Sequence, residues 1–253
     1  MKGIFSGFGI EREIFSTKYH GNSIKITEKG SVRTLKYNDF VYSRIDKDSL
    51  YTHEYWDFFM PLPYAYDSPR ILMIGLGGGT IVHQFSQLFG SRLDIEIVEL
   101  DSYMPEVYER FLGEKILSKV IIRDGAEYVS AYKSKYEIII LDAYDGHGNI
   151  PDHFLKEKFV EDAYNSLKDG GIFAVNCIGS MLGQRLDDFL KILTKKFQVY
   201  RLDTSLYTLN VVLICTKGKE LEDLFKQMLF KMKVEGKNEF IVNAYESSKR
   251  LYR

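Results

Sequence analysis

The chain has 253 residues, 45% of them hydrophobic and 27% charged, with a formal net charge of −1. That length and apolar content suit one large domain, or a main domain with a small companion. The balanced charge leaves no electrostatic footprint for a nucleic acid or a membrane surface, so those two classes of partner are not expected.

The opening MKGIFSGFGIEREIF lacks a long apolar core and a small-residue cleavage site. No apolar run approaches the ~20 residues that span a bilayer, and a cytoplasmic protein is the expectation. Short alternating runs follow, EIFSTKY, NSIKITEK, SVRTLKY and FVYSRID, separated by turns such as HGN and KGS. They predict a small N-terminal antiparallel β-domain over residues 1–50, and residues 51–253 are read as the main domain. A helix is predicted through LYTHEYWDFFMPL, stopping before Pro63, with Trp56 packing between the two parts.

From Arg70 strands and helices alternate. Strands are predicted at RILMI, LDIEIVEL, KVIIRD, YEIIILDA and GIFAVNC, and helices at Thr80–Leu88, Tyr103–Phe111, Phe154–Leu167 and Met181–Lys195. Such alternation argues for an α/β fold with a parallel sheet covered on both faces. FQVYRLDT and YTLNVVLICT lie too close for a helical crossover, so they are expected to form an antiparallel hairpin. A doubly wound sheet ending in such a hairpin is of the methyltransferase type. KELEDLFKQMLFKMK closes the pattern as an amphipathic helix, and KMKVEGK as its solvated end. Cys177 and Cys215 sit in apolar strand-like runs without CxxC or Cys/His spacing; buried free thiols are expected, and no metal site.

In open α/β sheets the ligand crevice lies beyond the carboxyl ends of the strands. The first strand-to-helix turn here, IGLGGGT, carries Gly75, Gly77, Gly78 and Gly79. A dinucleotide fingerprint would need glycine at position 80, where Thr80 stands; the GxGxG spacing fits a nucleoside-sulfonium binder instead. Glu99 ends the next strand, placed to accept hydrogen bonds from ribose hydroxyls, with Asp101 as a rival. Asp124 and Gly125 follow the third strand, where an adenine amino group would bind, although Asp124 also suits a helix N-cap. No GxxxxGK[ST] motif argues for an NTPase.

The fourth strand runs into LDAYDGHGNIPDHF, in which Asp142 and Asp145 flank Tyr144. Paired carboxylates beside a nucleoside site can hold a cationic amine and take a proton from it, which frees the nitrogen lone pair for attack. Asp145 would alternatively cap its own loop. His147 and His153 in this loop are candidates for acid/base or pocket-lining roles, and His83 for surface packing.

On these residues the sequence resembles the spermidine synthase family, and the resemblance covers most of the chain. It is carried by THEYWDFFMPLP, IGLGGGT, VELD, RDG and LDAYDGHGNIPDHF. It implies aminopropyl transfer from decarboxylated S-adenosylmethionine to a polyamine or other amine, and homodimers formed through the β-domain. By the same resemblance Glu99 is the ribose acid, Asp124 the adenine-side acid, Asp142 the proton acceptor and Asp145 an amine anchor. His53 and Glu54 match a segment that closes over the donor. The chain also departs from the family. Members read GGGDGG in the first loop, and their aspartate contacts the donor's amino group; Gly78 occupies that position here. The family's YQ is Tyr19–His20, and its glutamine segment after the fifth strand is Asn176 followed by IGS after Cys177. Without the loop carboxylate, discrimination against intact S-adenosylmethionine weakens. Methyl transfer from that donor is therefore the alternative reaction, and a non-catalytic nucleoside-binding module the third reading.

Overall fold

The computed structural model describes residues 10–181, 183–204, 210–235, 239–246 and 249–251. The first strands form a four-stranded antiparallel meander, β1 (Arg12–Tyr19), β2 (Asn22–Lys29), β3 (Val32–Tyr37) and β4 (Phe40–Asp46), in sequential order. The β1–β2 turn is made by His20 and Gly21, both at positive φ. Alternation along the strands turns Ile24, Ile26, Leu35 and Ile45 inward, and they join the apolar cluster that also holds Phe85, Tyr108 and Phe111 of the main sheet's helices. Arg33 secures the junction, donating from Nη1 to the Phe111 carbonyl at 2.6 Å.

The main part begins with β5 (Arg70–Ile74), α1 (Thr80–Phe89), β6 (Asp94–Glu99), α2 (Met104–Leu112), β7 (Lys119–Ile122), α3 (Gly125–Ser130) and β8 (Tyr136–Leu141). It continues through α4 (Glu157–Ser166), β9 (Leu167–Cys177), α5 (Gln184–Thr194), β10 (Gln198–Asp203), β11 (Val211–Thr216), α6 (Leu221–Val234), α7 (Glu239–Glu246) and β12 (Lys249–Leu251). The eight strands lie in the order β12-β10-β11-β9-β8-β5-β6-β7. β5 to β9 pair in parallel, while β11 is antiparallel to β9 and β10 is antiparallel to both β11 and β12. Strand order reverses beside β5, whose neighbours are β6 and β8, so the crevice opens at the carboxyl ends of these three strands. Ile138 to Leu141 and Ile172 to Val175 are fully buried, which explains why β8 and β9 read as continuous apolar runs.

Several elements differ from the sequence reading. LYTHEYWDFFMPL forms no α-helix: two short 3-10 turns, Tyr55–Phe59 and Leu62–Ala65, replace it, and Pro63 lies inside the second. Pro61 and Pro63 remove two amide donors. The buried Asp57 carboxylate also takes the amides of Thr52 (3.0 Å) and His53 (2.8 Å), which ties the chain into a turn before a helix can start. The helix expected from Phe154 starts at Glu157, after a 3-10 turn and an extended Lys156. Gly183, at φ 94 and ψ −148, delays α5 to Gln184. α7 and β12 have no counterpart in the sequence reading, while α3 follows the N-cap reading of Asp124. Residues 207–209 of the predicted hairpin lie outside the described residues, but β10 and β11 pair as expected. Cys177 and Cys215 are buried free thiols. Among the described residues no helix is long and apolar enough to cross a membrane.

Candidate active site at the carboxyl ends of the sheet

A cavity of about 470 Å³ opens at the strand-order reversal. Its wall carries the carboxylates of Glu54, Glu99, Asp101, Asp124, Asp142 and Asp145, against the Arg123 guanidinium and the His153 ring. The interior therefore favours a cationic ligand.

The glycine loop serves several ends. Gly75, at φ 92, lines the cavity, and a Cβ there would lie 2.3 Å from the Asp142 carbonyl oxygen. Glycine thus lets the ends of β5 and β8 close on each other. Gly77 also lines the cavity. Gly78 and Gly79 are not in its wall: the Gly78 amide donates to Ser43 Oγ at 2.8 Å, and Gly79 faces the Tyr108 ring. A Cβ on Gly78 would meet Ser43 Oγ at 2.7 Å and Phe111 at 2.9 Å, so the place of the family's loop aspartate is filled by β4 and α2.

Glu99 lines the cavity half-buried, its Oε2 accepting from the Leu76 amide (2.8 Å) and its Oε1 from the Asp101 amide (2.9 Å). Burial raises its carboxyl above the ordinary range, against the lowering effect of those amides. Asp124 caps a helix and also faces the cavity. Its Oδ1 caps α3 through the amides of Ala126 (2.8 Å) and Glu127 (3.1 Å), and its Oδ2 lies 3.2 Å from His153 Nε2 in the cavity wall. Gly125 lines the wall next to it, packed on Ile74.

Asp142 lies at the end of β8. Asn176 Nδ2 donates to its Oδ1 at 2.8 Å, and the Tyr55 hydroxyl lies 3.4 Å from both carboxylate oxygens. Desolvation pushes its carboxyl up to about 6, with the Asn176 and Tyr55 hydrogen bonds pulling the other way. Asp145 also faces the cavity, but its Oδ1 accepts from the amides of His147 and Asn149, both at 2.9 Å, so it caps its own loop. The N-terminal sheet holds that loop: the Tyr42 hydroxyl donates to the Asp145 carbonyl (2.6 Å) and Asn38 Nδ2 to that of Gly146 (3.0 Å).

His53 is placed apart from this group. It is exposed, at φ 60, and outside the cavity wall, whereas Glu54, ion-paired to Arg44, lines it. His147 is exposed, and His83 pairs with Glu114 at 3.0 Å. Trp56 is 2% exposed and sits in the core cluster at the cavity wall. Sequence reasoning missed Tyr55, Tyr42, Ser43 and Asn210, which all line the cavity. Only Tyr55 carried a signal, its place inside the segment already singled out. Among the described residues no group of three or more His, Cys, Asp or Glu side chains is arranged to hold a metal ion.

The sequence pattern described as the spermine/spermidine synthase domain matches residues 58–221. A polyamine aminopropyltransferase of Thermotoga petrophila is 25% identical over 171 residues, 65% of this chain and 57% of that protein. The chain thus matches little more than half the length of that relative. A polyamine aminopropyltransferase of Hydrogenobaculum is 25% identical over 209 residues, 78% of this chain and 72% of that protein. The fold is similar to the spermidine synthase of Thermotoga maritima, with TM-score 0.71, 18% identity, and coverage of 92% of this chain and 84% of that one. It is also similar to human methyltransferase-like protein 13 in complex with SAH, with TM-score 0.58, 21% identity, and coverage of 78% and 93%. With the family's pattern over most of its length, this chain belongs to the spermine/spermidine synthase family.

Proposed function

We propose that the protein is a transferase that moves an aminopropyl group from decarboxylated S-adenosylmethionine to an amine acceptor, a polyamine or another primary amine. The observation that carries this reading is Asp142, a half-buried carboxylate raised to about 6 inside an acid-lined cavity beside the glycine loop. An ammonium cannot attack carbon. Once Asp142 takes its proton, the nitrogen lone pair forms the new C–N bond while the C–S bond breaks, and its electron pair neutralises the sulfonium. A base whose pKa lies near the working pH is suited to that transfer. In this reading Gly75 and Gly77 accommodate the nucleoside, Glu99 takes the ribose hydroxyls and Asp124 with Gly125 the adenine edge. Asp145 anchors the acceptor with the carboxylate oxygen its loop leaves over.

One observation favours a second reading, methyl transfer from intact S-adenosylmethionine. The loop carries Gly78, its amide held by Ser43, and so has no carboxylate to repel the donor's own. Calorimetric titration with decarboxylated S-adenosylmethionine, the intact donor and methylthioadenosine separates the cases. Binding of the decarboxylated form at least ten-fold tighter than the intact one, with an amine product heavier by one aminopropyl unit, is expected. Preference for the intact donor and a product heavier by a methyl group would establish the alternative. No binding of any of the three at millimolar concentration would remove the nucleoside site altogether.

A further inference from the structure

A file of two amides runs from Asp142 across the end of the sheet. Asn176, 1% exposed near the end of β9, donates through Nδ2 to Asp142 Oδ1 at 2.8 Å and accepts at Oδ1 from Asn210 Nδ2 at 2.9 Å. Asn210 precedes β11, and its backbone carbonyl accepts from the Thr204 hydroxyl at 2.7 Å. The Asn176 carbonyl accepts from the Tyr144 hydroxyl at 2.6 Å. The backbone carbonyls of both asparagines are therefore held. Asn210 and Asn176 line the same cavity as Asp142.

An amide presents a donor at one end and an acceptor at the other, while an ionised carboxylate only accepts. Asn176 must turn its Nδ2 to Asp142 if that carboxylate is charged, which leaves its Oδ1 facing Asn210. Asn210 meets that Oδ1 with its Nδ2, so flipping Asn176 would require the Asn210 amide to turn over as well. The flipped amide would put oxygen against oxygen, which Asp142 tolerates only when protonated. From this the geometry points to Asn210 as a positioning residue: acting through Asn176, it keeps a donor aimed at Asp142 and holds that carboxylate charged and ready to receive a proton. The inference rests on Asp142 being the proton acceptor of the proposed reaction. The titratable groups around Asp142 are Tyr55 from the 3-10 turn, Tyr144 and Asp145 on its own loop and Cys177 beside Asn176.

The test reads Asp142 directly and needs no substrate. The full chain is prepared with carboxyl-¹³C aspartate, and the Asp142 resonance is identified by its loss in Asp142→Asn. Its titration is then followed in wild type, Asn210→Asp and Asn210→Leu. Aspartate at 210 can only accept, so it draws the Asn176 amide round and adds a like charge; leucine removes the donor and adds none. The Asn210→Asp midpoint is expected to rise by about one pH unit or more, a ten-fold tighter proton, and Asn210→Leu by a smaller but resolved amount. A leucine variant that melts like wild type and titrates at the wild-type midpoint would overturn the inference, since any shift in the aspartate variant would then be charge repulsion alone. If Asn210→Asp does not fold, the leucine variant decides the matter. Retained turnover in Asp142→Asn is a separate outcome: it removes the base assignment, whatever the titration shows.

Discussion

At the scale of single residues, Asp142, the base of the proposed reaction, carries a cost to the fold. Its folded carboxyl titrates near 6 against an ordinary 3.8, so between those values the native state holds a proton that the unfolded chain has released. Stability from this group is therefore present at low pH and lost as pH rises through 6. Asp142→Asn keeps an oxygen for Asn176 to donate to but cannot ionise. Its turnover should fall by about 10²–10⁴. It should also be more stable than wild type above pH 6, by roughly 3 kcal/mol at most, with the gain vanishing near pH 4. Denaturant melts of both proteins across that range check the sign; a constant difference would show that Asp142 is not desolvated as the structure indicates. Residue type and order were enough to single out Glu99, Asp124, Asp142 and Asp145. They could not separate ligand from cap, because one carboxylate has two oxygens. Asp124 and Asp145 each give one oxygen to local amides while still facing the cavity.

At the scale of elements, the glycine loop between β5 and α1 is shaped by its neighbours as much as by its own sequence. The GxGxG spacing marked the loop as a candidate ligand loop, but not that β4 would supply the Ser43 hydroxyl to the Gly78 amide. Restoring a loop aspartate as Gly78→Asp would force a Cβ to 2.6 Å from the Ser43 Cβ and 2.9 Å from Phe111. Neither contact is the far end of a flexible chain. The variant should lose about 1–3 kcal/mol, and adding Ser43→Gly should return part of it. Thermal melting checks this, and a Gly78→Asp protein that melts like wild type would show the loop to be free of β4. The helix misread before β5 belongs to the same scale. Its apolar residues have helical spacing, yet the prolines and Asp57's hold on the Thr52 and His53 amides were the stronger local forces.

At the scale of the molecule, the N-terminal meander and the main sheet share one apolar cluster, which runs from Ile24 and Leu35 through Trp56 and Phe85 to Ile138 and Tyr245. The meander also supplies cavity wall, through Tyr37, Phe40, Val41, Tyr42 and Ser43. A boundary near residue 50 describes the change of pattern along the chain but does not divide the packing. Scanning calorimetry should accordingly give one transition with matching calorimetric and van't Hoff enthalpies. A separate early transition for the meander would contradict the shared core.

The sequence by itself determined the fold class, the presence and order of the strands of the parallel core, the family resemblance and the order of acids along the strand ends. These follow from short-range rules: period-two and period-3.6 burial, glycine where the backbone must pass closely, and carboxylates where strands end. Tertiary structure alone decided that His53 lies outside the cavity, that Ser43 fills the place beside Gly78, that Tyr55 and Asn176 meet on Asp142, and that Asn210 meets Asn176. Those contacts join positions 34 to 87 residues apart. Side-chain packing between elements sets such pairings, and no local pattern in the chain encodes them.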